Sequence, residues 1–145
     1  MATVQRSILV EYSAEEMRAL VDDIASYPQF LPWCGGTEIV SRDPGRTVAT
    51  IRIDYRGIRQ AFTTENLATA DGNICMRLVS GPFRRLGGEW SFKALAPQAS
   101  KVALHLDYEF SSLLLDKILG PVFHYIADSM VDAFVKRAEA VYGRR

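Results

Sequence analysis

The sequence predicts an α+β fold in which a curved antiparallel sheet of about six or seven strands wraps a long C-terminal helix. Three observations predict it. From Gly35 to Phe110 apolar and polar residues alternate with a period of two. Short turn signals divide that stretch: Asp43-Pro44-Gly45, Arg56-Gly57, Asp71-Gly72 and Ser80-Gly81-Pro82. From Leu113 onward about 30 residues follow the helical period, with an apolar face opposite a charged one. Hairpin-length connections make the sheet antiparallel. A sheet with one apolar face and a helix with a matching stripe bury both by packing together, and strand twist curls the sheet around the helix.

The elements follow in order. Val4 to Tyr12 reads as a strand with Val4, Arg6, Ile8 and Val10 on one side. Ser13, with Glu16 three residues on, forms a capping box. The helix it starts, Ala14 to about Asp23, turns Met17, Leu20, Val21 and Ile24 inward. Tyr27-Pro28-Gln29-Phe30-Leu31-Pro32-Trp33 then sets two prolines and four large apolar residues in seven positions, which suits a second short helix or turn. Thr37 to Arg42 is a short strand. Ala49, Ile51, Ile53 and Tyr55 face one way on the next, with Thr50, Arg52 and Asp54 opposite. Ile58 to Leu67 carries Ile58 and Phe62 on one face. Ile74, Met76 and Leu78 alternate with Cys75, Arg77 and Val79. Phe83 to Ala94 sets Trp90 and Phe92 together, and Val102, Leu104, Leu106, Tyr108 and Phe110 give the cleanest alternation of all. In the terminal helix Lys117, His124, Asp128, Asp132, Lys136 and Glu139 share a polar sector, opposite Leu115, Leu119, Val122, Ile126, Met130, Ala133 and Phe134. Gly120-Pro121 is expected to interrupt this helix after its first two turns and let that end move separately.

The 145 residues suit a single domain spanning 1–145. With 48% apolar and 23% charged residues, the composition excludes disorder. The net charge of zero is unevenly spread: residues 1–41 hold two arginines against six acids, and residues 42–85 hold eight arginines against four. Neutrality argues against a general DNA-binding role, while the basic middle suits a local anionic partner. Cys34 and Cys75 have neither metal-ligand nor CxxC spacing, so no metal site or disulfide is expected. Glu11 breaks the only early apolar run, and no stretch approaches the roughly 18 uninterrupted apolar residues of a membrane span. The expected setting is cytoplasmic, with peripheral contact at the inner membrane.

Four motifs recur together in one family: Tyr27-Pro28-x-Phe30-Leu31-Pro32-Trp33-Cys34; Gly81-Pro82-Phe83-x-x-Leu86-x-Gly88-x-Trp90-x-Phe92; Gly120-Pro121-Val122-Phe123; and Val131-Asp132-Ala133-Phe134-x-x-Arg137-Ala138-x-x-Val141-Tyr142-Gly143. On these, the chain resembles the coenzyme-Q-binding START-like family of the SRPBCC superfamily. Its bacterial members are also called RatA, ribosome association toxin, and older descriptions call them polyketide cyclase/dehydrase-like. The resemblance covers essentially the whole chain. It implies the helix-grip (START/Bet v 1-like) fold. It also implies one of two roles: a chaperone for ubiquinone that supports respiration, or a protein that binds the large ribosomal subunit and blocks subunit joining.

The candidate site residues fall into three groups. Tyr55, Phe62, Met76, Trp90, Phe92, Tyr108, Phe110, Phe123, Ile126 and Met130 are placed to line an apolar cavity between sheet and helix, or to fill that space as packed core. Tyr55 and Tyr108 would orient a ligand's head. Tyr27, Phe30, Leu31 and Trp33, with Leu114, Ile118 and Val122, form a lid or entrance that also suits a membrane or partner contact. Arg52, Arg56, Arg59, Arg84 and Arg85 flank two turns and offer a surface to phosphates of RNA or lipid, or are simply solvated. No catalytic set is expected: His105 and His124 lie on polar faces, Cys34 has no evident base, and nucleophile-elbow, metalloprotease and phosphate-loop motifs are absent. The reading is therefore a carrier of a polyprenyl quinone such as ubiquinone, or of another lipid, with no required cofactor. The alternatives are a ribosome-binding protein and, third, a polyketide cyclase/dehydrase-like enzyme.

Overall fold

The computed structural model describes residues 2–145. Strand β1 (Ala2–Val10) leads through α1 (Ala14–Asp22) and a 3-10 turn (Ile24–Gln29) to six consecutive strands. These are β2 (Cys34–Asp43), β3 (Arg46–Tyr55), β4 (Ile58–Ala68), β5 (Ile74–Ser80), β6 (Phe83–Ala96) and β7 (Ala99–Phe110), and helix α2 (Leu113–Tyr142) closes the fold. All seven strands form one antiparallel sheet in the order β1-β7-β6-β5-β4-β3-β2. This is the curved sheet and C-terminal helix of the helix-grip fold. Strands β2 to β7 each pair with their sequence neighbour. Only β1 travels, setting Val4 against Leu106 and Ile8 against Val102.

The local chemistry explains the elements. Ser13 caps α1 by accepting from the Glu16 backbone N–H at 3.0 Å, and the Glu16 carboxylate accepts from the Ser13 N–H at 3.0 Å. Met17, Leu20 and Val21 then face the sheet and are buried. Pro28 lies within the 3-10 turn, and backbone bonds from the Leu31 N–H to the Tyr27 carbonyl (3.0 Å) and from the Cys34 N–H to the Leu31 carbonyl (3.0 Å) lead the chain into β2. Bulges at Cys34/Gly36 and Ile39/Ser41 bend β2 around the end of the sheet. The centre of the sheet depends on Gly88, which pairs with Met76 on one side and Leu106 on the other. A β-carbon on Gly88 would lie 2.0 Å from the His105 carbonyl oxygen, so only glycine lets β7 approach β6 so closely.

Helix α2 runs unbroken for 30 residues, and the expected interruption at Gly120-Pro121 is corrected. Pro121 stands on the exposed side. The Lys117 carbonyl, which loses its helical donor there, therefore faces solvent, and the helix continues. The helix is long and apolar enough to cross a bilayer by length and composition, but Phe123, Ile126, Ala127, Val131 and Phe134 are buried against the sheet. Phe134 sets its ring against those of Trp90, Phe30 and Tyr27, with centroids 5.2 to 5.4 Å apart.

The helix end is tied to α1 through a charge pair. Arg145 donates to both oxygens of Glu16, at 2.6 and 2.9 Å. Arg145, and then the Ser13 N–H, lower the Glu16 carboxyl from 4.5 to about 2. A lowered carboxylate pKa stabilises the folded state above the unfolded value, and the contribution is lost as pH falls through the folded one. Glu16→Gln should therefore melt below the parent protein at pH 7, and the gap should close between about pH 4.5 and about pH 2. A gap in melting temperature that is the same at both ends of that range would show that the pair contributes nothing.

Candidate ligand-binding cavity

A cavity of about 70 Å³ lies between α2 and the concave face of the sheet. Its floor is Ile51 of β3, Phe62, Thr64 and Asn66 of β4, Met76 of β5, Leu86 and Trp90 of β6, and Leu104 and Leu106 of β7. Its roof is Phe123, Ile126, Ala127 and Met130 of α2, and Ile24, Tyr27 and Trp33 close the side. One water needs roughly 10–15 Å³ of such space, so the cavity as it stands takes part of a ring, and a whole ring with its tail needs the wall to give way.

Of the ten wall candidates, Phe62, Met76 and Trp90 on the strands and Phe123, Ile126 and Met130 on α2 border this cavity. Four candidates lie elsewhere. Tyr55, at the end of β3, stacks on Tyr125 at the rim (5.7 Å, 12°). Phe92 stacks against Trp90 (6.3 Å, 9°), buried behind it. Tyr108 and Phe110 join an aromatic cluster with Phe83 and Phe123, in which the Tyr108–Phe123 and Phe83–Phe110 centroids are 4.7 and 4.8 Å apart. That cluster seals one end of the cavity, so neither tyrosine is placed to orient a head. Alternation tells which face a residue takes, but not how far along the strand the cavity extends.

The lid candidates also divide. Tyr27 and Trp33 are walls of the cavity, and Leu31 is buried beside them. The Tyr27 hydroxyl donates to the Val21 carbonyl, and burial pushes its phenol well above the usual range. Phe30 instead lies under the Arg137 guanidinium, 5.0 Å from its ring centre. Leu114 and Ile118 point into solvent, and Val122 borders a separate gap near the start of the helix.

Thr64 and Asn66 are the polar members of the floor, and sequence reading missed both. They sit two apart on β4 and so share a face, a parity signal that was available but outweighed by the aromatics. Asn66 Nδ2 donates to Thr64 Oγ1 at 3.2 Å and to the Thr47 carbonyl at 3.4 Å. The Thr64 hydroxyl proton and Asn66 Oδ1 have no other side-chain partner among the described residues, leaving one donor and one acceptor for a ligand oxygen. Asn66 also lines a polar cleft with Arg18, Asp43 and Arg46, so the polar end of the cavity backs onto solvent. Ile24, Ile51, Leu86, Leu104, Leu106 and Ala127 complete the wall as ordinary core-type residues with no distinguishing sequence signal.

The wall carries no carboxylate, imidazole, thiol, amine or guanidinium among the described residues. Cys34 is buried outside it, and burial raises its thiol pKa, which keeps it protonated. His105 pairs with Asp107 at 3.1 Å on the outer face, and the exposed His124 reaches the Tyr108 hydroxyl at 3.4 Å. The arginine candidates are all exposed. Arg59 pairs with Asp54 (3.7 Å) and Arg84 with Glu109 (3.1 Å), and the Arg56 guanidinium lies 5.2 Å from the Tyr55 ring centre. Arg52, Arg56 and Arg85 have no ion-pair partner among the described residues.

Residues 10–135 match the family described as polyketide cyclase / dehydrase and lipid transport. The chain belongs to that family. Among members of the polyketide cyclase / dehydrase and lipid transport family, it is similar to the ribosome association toxin RatA of Escherichia coli K12, with 44% identity over all of this chain and 92% of the relative. It is more distantly similar to the mitochondrial coenzyme Q-binding protein COQ10 homolog B of Xenopus laevis, 26% identical over 96% of this chain and 59% of that one. Among solved structures, the Zhui aromatase/cyclase of Streptomyces sp. R1128 superposes with a TM-score of 0.84 at 18% identity, covering 95% of this chain and 93% of that one. At that identity the likeness concerns the fold.

Proposed function

We propose that this protein is a carrier that holds the ring of a polyprenyl quinone, ubiquinone or a close relative, in the cavity under α2. The observation that supports it is an apolar space whose wall carries no carboxylate, imidazole, thiol, amine or guanidinium, whose one phenol, Tyr27, is engaged with the Val21 carbonyl, and whose floor has only two adjacent polar side chains. Such a wall suits an uncharged ring with an oxygen at one edge. Thr64 offers that oxygen a donor. Asn66 offers an acceptor to the hydroxyl of the reduced, quinol form. The ring enters past Phe123 near the start of α2, Tyr27–Trp33 yields outward to make room for the tail, and each CH₂ then buried contributes about 0.8 kcal/mol. The wall supplies no acid or base for a cyclase reaction. The carrier reading places the protein in the cytoplasm, working at the inner membrane.

Trp33 and Trp90 both belong to the wall, so the protein carries its own probes. A benzoquinone with a single isoprene unit should quench tryptophan fluorescence saturably. The pair Thr64→Val and Asn66→Leu should weaken binding about two- to tenfold per lost hydrogen bond. Absence of saturable quenching, together with solvent extracts of gently purified protein that contain no quinone or other lipid, would end the carrier reading.

The 44% identity with RatA along the whole chain favours a second reading, association with the large ribosomal subunit. Arg52, Arg56, Arg59, Arg84 and Arg85 would then contact RNA phosphates. Sedimentation with purified subunits tests it: reversing these charges should abolish co-sedimentation and leave fluorescence quenching intact.

A further inference from the structure

We propose that the end of the molecule where α2 begins is a docking face for an anionic membrane surface. Three parts of the chain meet there. The first turns of α2 expose Leu113 (89%), Leu114 (66%) and Ile118 (52%), three large aliphatic side chains within six residues. On one flank is the β5–β6 turn, held to the helix start by the Ser111 N–H and hydroxyl, which both donate to the Pro82 carbonyl (3.0 and 3.2 Å), and followed at once by Arg84 and Arg85. On the other is the β3–β4 turn, which carries Arg56 and Arg59, borders Leu119 and Val122 through Ile58 and is held to α2 about three turns from its start by the Tyr55–Tyr125 stack.

The apolar stripe is thus bracketed by two arginine-bearing tips, and Lys117 adds a further exposed cation on the helix itself. Two of the acids in this region, Asp54 and Glu109, are engaged with Arg59 and Arg84, while Asp116 is exposed. Arg56, Arg85 and Lys117 have no ion-pair partner among the described residues. Exposed aliphatics ringed by cations are the complement of a lipid surface, whose acyl region takes the leucines and whose phosphates take the arginines. RNA would use the cations but has no use for three bare aliphatic side chains.

The interior supports the same occupant. Directly behind this face, a gap of about 10 Å³ is bordered by Ile53, Ile58, Phe83, Leu119, Val122 and Phe123. Phe123 is also a wall of the ligand cavity. One aromatic ring therefore separates the docking face from the cavity. A lipid leaving a bilayer at this point would pass Phe123 to reach it.

The test is sedimentation of the full chain with phosphatidylcholine vesicles, with and without phosphatidylglycerol, alongside fluorescence quenching by the short-tail quinone. Binding is expected only with the anionic vesicles and should fall with added salt. Leu114→Glu with Ile118→Glu should reduce it at least tenfold. Arg56→Ala and Arg85→Ala should each reduce it about fivefold. All four positions are exposed, so melting temperatures and quinone quenching should hold. No binding to anionic vesicles, equal binding to neutral ones, or binding that ignores these substitutions would overturn the proposal. So would protein that ignores vesicles but sediments with ribosomal subunits through the same arginines. A change in the oligomeric size of the free protein in the Leu114/Ile118 variant would instead assign the face to a second copy, and also overturn it. The carrier reading fails separately: vesicle binding that survives while quinone quenching is absent counts against the cavity and leaves the docking face standing.

Discussion

Gly88→Ala should cost at least about 4 kcal/mol, a large share of the roughly 5–15 kcal/mol that holds an ordinary domain folded. An added β-carbon would meet the His105 carbonyl oxygen at 2.0 Å, the Leu106 Cα at 2.9 Å and the His105 carbonyl carbon at 3.0 Å. All three are backbone atoms of β7 and cannot turn aside as a side-chain end would. Relief requires β6 and β7 to separate, and these two strands carry Trp90, Leu104 and Leu106 of the cavity floor. The neighbouring Gly87 provides the control. A β-carbon there meets its nearest neighbour, the Met76 carbonyl oxygen, at 3.4 Å, an ordinary contact. Gly87→Ala should therefore fold and melt close to the parent protein. In a domain of this size each kcal/mol moves the melting point by roughly 2–4 °C, so thermal melts separate the two variants easily. Equal losses in both would show that close strand approach is not what the second glycine permits.

Ala127→Leu should weaken quinone binding at least tenfold while keeping or raising stability. Ala127 is buried on the inner face of α2 and forms part of the cavity roof. Three added carbons project into a space of about 70 Å³. Filling an existing cavity commonly stabilises by about 0.5–2 kcal/mol. Forcing the same carbons into a filled core costs about 1–3 kcal/mol instead. The sign of the change in melting temperature therefore separates open space from packed core, and the quenching titration, expected to weaken at least tenfold, reports occupancy. A variant that melts lower and binds as before would show that the roof lies elsewhere.

Fold and site were legible in the sequence to different degrees. The strands are carried by clean alternation, as in Val102 to Phe110, and by turn residues at each hairpin, so their number and sense could be read. The Ser13–Glu16 capping box fixed the start of α1 in the same way. The continuity of α2 through Pro121 was not readable. The cost of proline depends on whether the orphaned carbonyl meets water, and that is a matter of which side of the packed helix it occupies. The site was half readable because inward orientation follows from parity, whereas position along the cavity follows from curvature. Tyr108 and Phe110 point inward as expected, yet meet Phe83 and Phe123 rather than open space. Thr64 and Asn66 passed unnoticed because a polar residue on an apolar face has no sequence mark distinguishing a ligand partner from an edge position.

The pairing of β1 with β7 has a consequence for synthesis on the ribosome. Ala2–Val10 leaves the exit tunnel well before its strand partner, Ala99–Phe110, which follows about a hundred residues later. At roughly 5–20 residues per second, the leading strand waits about 5–20 s with its hydrogen-bonding edge unpaired. The roof of the cavity comes later still, since α2 follows β7 in the chain. Nascent chains should therefore acquire the meander β2–β6 first, and ligand capture can only follow the emergence of α2.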